Sequence, residues 1–185
     1  MKKLLLQYKP FLLFLGKFLL TYLVLTIIYQ TYLNRYDASK NEVDSFTKLV
    51  SNQTISVLTL FDSDAYLLPH LTEPSVKIIY KGQYISRIIE GCNALSVIIL
   101  FISFVIAFTG KWKQTLLFIL FGSVLIHVLN ITRIALLCMA LYSFPEYEHI
   151  LHGVVFPLII YGIVFLLWVI WVNKFSLHAT TTTKK

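Results

Sequence analysis

A chain of 185 residues that is 57% hydrophobic and carries a formal net charge of +7 is too apolar for an ordinary soluble domain. Its positive charge sits in short segments beside apolar runs, a membrane-orientation signal and not a nucleic-acid surface, so no nucleic-acid partner is expected. Two cysteines, Cys92 and Cys138, are too few for a disulfide framework, no Cys/His spacing suggests zinc or another metal, and no pattern asks for a cofactor.

The first predicted span covers about residues 11–29, behind Lys2, Lys3 and Lys9. The apolar run is too long for a signal-peptide core and lacks a small-residue cleavage site, so it reads as a first membrane helix. Lys17, near its inner end, can snorkel to the headgroups. Residues 30–90 form a polar outer segment with six basic and seven acidic side chains. Within it Phe46, Leu49, Val50, Gln53, Val57, Leu58 and Phe61 recur near helical spacing and predict an amphipathic helix. Pro69 and Pro74 break any helix that follows. The β-branched and aromatic run from Val76 to Ile89, interrupted by Lys81-Gly82, suggests a short β-hairpin leading into Glu90-Gly91-Cys92.

Three more spans follow, at about residues 93–109, 115–142 and 154–172. The inner turn between the second and third holds Lys111 and Lys113, and the outer turn between the third and fourth holds Glu146, Glu148 and His149. The expected architecture is an all-α integral membrane protein of about four transmembrane helices. One membrane domain covers residues 1–175, and a disordered, Thr-rich inner tail covers 176–185.

With this assignment all nine acidic residues face outward and nine lysines face inward. Both termini are then cytoplasmic, and the outer face is periplasmic if the membrane is the cell inner membrane. One charge is left over, Arg133, inside the third span. An intramembrane charge costs about 2.5–3.5 kcal/mol on insertion scales and usually faces a bundle interior or cavity. Counted from Thr115, Arg133 is about 27 Å along the helix, near the outer surface. Asn130 shares its face. An arginine snorkelling outward, with Asn130 as interhelical glue, is the competing reading.

Cys92 stands where the outer segment enters the second span, and His152 where the fourth begins. Taken singly, they read as a small buried side chain and an interfacial histidine. Together with Arg133 they belong to three consecutive helices joined by short turns, which are neighbours in space. A thiol, an imidazole and a guanidinium supply a nucleophile, a general base and an oxyanion stabiliser. Glu90 and His149 flank this constellation, and Glu146 or Glu148 could orient an imidazole. His127, deeper in the third span, reads as packing or polar glue.

Glu90-Gly91-Cys92-Asn93-Ala94-Leu95-Ser96, then Asn130-Ile131-Thr132-Arg133, then His152-Gly153 resemble, in order and membrane position, three motifs of the exosortase/archaeosortase family. The short chain is similar to the small flavobacterial exosortase-like type. The resemblance implies a membrane cysteine transpeptidase or protease that cleaves a C-terminal sorting signal of exported proteins. Such substrates carry a short motif, a transmembrane helix and a basic tail, and membrane lipid surrounds the reaction. It further implies Cys92 as nucleophile, Arg133 as thiolate or oxyanion stabiliser and His152 as general acid/base. Asn93-Ala94 departs from relatives that carry a small residue and glycine after the cysteine, a difference bearing on substrate choice.

Two other readings stay open. One is a non-catalytic assembly or scaffold protein of an envelope export system. The other is a thiol-redox membrane protein with a Cys92–Cys138 bridge, although no C-x-x-C pair is present.

Overall fold

Three long apolar helices dominate the computed structural model, which describes residues 8–61, 64–108 and 110–175. Lys2, Lys3, Asp62, Lys184, Lys185 and the Thr-rich tail lie outside the described residues. Helix α1, Lys9–Leu33, starts with Pro10 in its first turn, where the missing N–H has no role. Most of its side chains, largely leucine and isoleucine, are exposed, and Tyr29 alone among its residues is buried. Such a face suits lipid.

Helix α2, Ser45–Thr59, is the expected outer helix. Asp44 caps it, its carboxylate accepting from Phe46 N at 3.0 Å and Thr47 N at 2.9 Å. The buried stripe is Thr47, Val50, Ser51, Thr54 and Leu58. Leu49 and Phe61, expected inside, are exposed. Small side chains allow α2 to approach its neighbour closely, which outweighs burying the larger residues beside them.

A three-stranded antiparallel sheet follows: β1 (Ala65–Pro69), β2 (Val76–Tyr80) and β3 (Gln83–Ile88), in the order β1-β2-β3. Lys81 and Gly82 both hold positive φ, 52° and 73°, between β2 and β3, as a two-residue turn of the I′ type requires. β1 is a strand that the sequence reading did not anticipate. Pro69 sits at its end on an outer strand, the place where a missing N–H is tolerated. The fold is mostly helical, as the all-α expectation has it, and the hairpin expected between the first two spans is extended by β1 to three strands.

The remaining helices are α3 (Leu95–Ala107), α4 (Trp112–Ser143) and α5, a helical run over Pro145–Phe175. Among the described residues three helices, α1, α4 and α5, are long and apolar enough to cross a membrane. The expected second span is represented by α3. Its 13 residues cover only about 20 Å. In α5 the run begins as a 3-10 turn, Pro145–Tyr147, and includes a π-helical stretch, Leu151–Val155, before the regular helix Phe156–Ile170.

Two apolar clusters stack along α4. One joins Val50 and Leu58 of α2, Ile78, Tyr80 and Ile88 of the sheet, and Ile131, Ile134, Ala135 and Cys138 of α4. The other joins Ala94, Ile98, Phe101 and Val105 with Ile126, Val164, Leu167 and Trp171. Gly122 lets α3 and α4 close on each other in the second, since a Cβ there would clash with Phe101 Cζ. The segment from Cys92 to Ala94 passes from the first cluster to the second.

Candidate active site

Cys92 is half-buried and closes a 3-10 turn, Glu90–Cys92, at the exit of β3. Its backbone N–H donates to Ile89 O at 2.9 Å. It does not belong to the first turn of α3, because Ala94 intervenes with φ 65° in the left-handed region. The dipole of α3, which falls off within one turn, therefore acts on Cys92 less than a first-turn position would allow.

The turn is held from two sides. From α4, Asn130, 1% exposed, donates its Nδ2–H to the Cys92 carbonyl at 2.8 Å. From the other side, buried Asn93 donates to Thr47 Oγ1 of α2 at 3.1 Å and to Tyr29 OH of α1 at 3.4 Å. Asn93 Oδ1 also accepts from Leu95 N at 2.9 Å, starting α3. The Tyr29 hydroxyl donates to the Glu90 carboxylate. A buried polar knot thus ties α1, α2 and the head of α3 to the turn that carries the thiol. Each member is satisfied by another, which makes such burial tolerable.

A cleft of about 440 Å³ opens beside Cys92. Tyr84, Ile85, Ser86, Arg87 and Ile89 line one side, Leu137 and Leu141 of α4 another, and Glu148 and His152 of α5 the third. Cys92 and His152 therefore line one cavity. Glu148 lies one turn before His152, on the same cleft. His152 falls in the π-helical stretch of α5, a local widening often found where a helix presents a functional side chain.

Other expected site residues stand elsewhere. Arg133 is half-buried, with its Nε buried and unpartnered. It occupies the α4 face that carries Asn130 one turn before it and Leu137 one turn after it, but it is not among the residues lining the cleft. Glu90 turns to Tyr29 instead of the cleft, and His149 is exposed outside it. His127 Nε2 pairs with Gln53 Oε1 at 2.8 Å, joining α4 to α2 as polar glue. Both cysteines are free, and fully buried Cys138 meets Ser86 Oγ at 3.2 Å. Among the described residues no group of three His, Cys, Asp or Glu side chains could hold a metal.

Sequence reasoning missed Tyr29 and Thr47; the hairpin leading into Cys92 is legible in the sequence, but not that its second strand lines the cleft. Tyr29 offered only one signal, a hydroxyl near the outer end of an otherwise apolar span.

No curated protein and no solved structure matches the chain. The family model described as Transmembrane exosortase (Exosortase_EpsH) matches residues 5–174, a range that contains the turn of Cys92, the Asn130–Arg133 segment and His152. On that match, together with its apolar helices, this membrane protein belongs to the transmembrane exosortase family.

Proposed function

We propose that this chain is a membrane-embedded cysteine transpeptidase or protease that cuts the C-terminal sorting signal of exported proteins at the outer face of the cell inner membrane. The observation that carries the reading is the single cleft shared by Cys92 and His152. His152 takes the thiol proton, and Cys92 Sγ attacks the scissile carbonyl. As the C–N bond breaks, the leaving amine receives that proton, and the substrate's acyl part remains on sulfur as a thioester. Water or an envelope amine then attacks the thioester and regenerates the thiol. Arg133 stabilises the oxyanion or the thiolate, a role in which a guanidinium stays charged in a partly dry site. Arg133 does not line the cleft, so this role requires its guanidinium to swing toward Cys92 when substrate enters.

The depth of the site agrees with this topology. From Trp112 to Asn130 helix α4 rises about 27 Å, and Asn130 holds Cys92. α3, about 20 Å long, packs beside that part of α4, which supports it as a short second crossing of a core about 30 Å thick. Beyond Asn130, α4 continues about 20 Å into the layer packed by the sheet and α2. In this reading the segregated charges turn this layer to the periplasm and both termini to the cytoplasm.

The test is processing of exported proteins with a C-terminal motif, spanning helix and basic tail in cells carrying Cys92→Ala. Such proteins accumulate at full length while the variant stays in the membrane. Normal processing would favour the scaffold reading.

A further inference from the structure

The cleft has an uncommon relation to β3. Successive side chains of a strand point to opposite faces, so a cavity on one face collects alternate residues. Here Tyr84, Ile85, Ser86 and Arg87 all line the same cleft. The cleft therefore runs along the edge of β3, and no further strand occupies that edge among the described residues, because β3 ends the order β1-β2-β3.

The register identifies what the edge offers. Lys81 N donates to Asp64 O at 2.8 Å, and His70 N to Ser75 O at 3.1 Å. These bonds set the phase of the ladder, so Lys77 and Ile79 turn their backbone groups toward β1. By alternation Val76, Ile78 and Tyr80 turn theirs toward β3, where they face Ile88, Ser86 and Gln83. Arg87, opposite Lys77, then points its N–H and C=O out of the ladder toward the cleft. No backbone partner meets them among the described residues. Farther along the same edge Ile89 O accepts from Cys92 N, so the edge leads directly to the thiol.

We infer that the cleft binds its substrate as an added β-strand. The extended stretch of the exported protein lies along β3, with Arg87 N–H donating to one of its carbonyls and Arg87 C=O accepting from one of its amides. The added chain runs beside β3 toward the Cys92 turn and presents its scissile carbonyl to Sγ in an extended form. Affinity then comes chiefly from backbone bonds, and side-chain selection from the walls at Tyr84, Leu141 and His152. This inference rests on the cleft being the substrate site of the proposed protease.

The test uses full-length Cys92→Ala protein in nanodiscs. The probe is a synthetic peptide spanning the scission site of a protein that accumulates uncut in Cys92→Ala cells, with its amides N-methylated one at a time. Strand addition predicts affinity losses of roughly tenfold at alternate amides and little loss between them. Losses without that alternation, or none, overturn the added strand and leave the protease reading standing, since the peptide still binds. Finding no uncut protein in those cells overturns the protease reading and this inference with it. In a second arm Arg87→Pro removes the outward N–H without touching the ladder. Its peptide affinity falls roughly tenfold below that of Arg87→Ala, which keeps the N–H; equal affinities overturn the proposal. Cross-links between the β3 strands of two molecules that the peptide fails to compete away would place a second copy on the edge and overturn it as well.

Discussion

Asn130→Leu isolates the support that α4 gives to the Cys92 turn. The side chain is 1% exposed and donates to the Cys92 carbonyl at 2.8 Å. Leucine fills a similar volume and cannot donate. Removing the donor and leaving the carbonyl orphaned costs about 1–3 kcal/mol. If about 2 kcal/mol of this falls on keeping the turn in its reactive position, processing slows roughly 30-fold at about 1.4 kcal/mol per factor of ten. The assay is pulse-chase processing of an exported substrate, with the amount of variant in the membrane measured alongside. Processing within about twofold of wild type at equal abundance, well short of that 30-fold loss, would refute the claim that Asn130 positions the nucleophile.

Substitutions at three further positions probe the same frame. Ala94 holds φ 65°, so Ala94→Gly leaves processing intact. Ala94→Val, β-branched in the left-handed region, strains the backbone by about 1–3 kcal/mol and lowers processing and thermal stability in detergent together. Tyr29→Phe removes the hydroxyl shared by Glu90 and Asn93. It leaves insertion of α1 unchanged but slows processing roughly tenfold through about 1–1.5 kcal/mol of lost bonding, read by pulse-chase. Gly122→Leu drives side-chain atoms into the Phe101 ring. Overpacking of this kind costs about 1–3 kcal/mol and appears as a lower melting temperature.

What the chain discloses in one dimension is set by how local each cause is. The long apolar runs around Leu20, Leu125 and Phe165 declare helices by length alone. The meeting of Cys92 with His152 follows from short turns and charge sidedness, without any contact being known. β1 is hidden because Pro69 and Pro74 read as breakers, and only pairing with β2 makes residues 65–69 a strand. Thr47, Ser51 and Thr54, buried in α2, fall outside its apolar periodicity because their worth lies in how closely α2 can approach α4. The Tyr29–Glu90 bond and the Asn93–Thr47 bond join residues far apart in the chain, so no window on the sequence contains them. Arg133, singled out by its charge, lies on the face that carries Asn130, one turn away from the cleft that the thiol shares with His152.

The central claim is that Cys92 Sγ forms a covalent acyl bond with an exported protein. It is tested most directly by acid-quenching membranes during substrate processing and measuring the mass of the peptide that contains Cys92. The account predicts a substrate adduct on Cys92, released by neutral hydroxylamine as a thioester should be, and missing in Cys92→Ala. Continued cleavage in Cys92→Ala membranes, or turnover with Cys92 unmodified throughout, would contradict it.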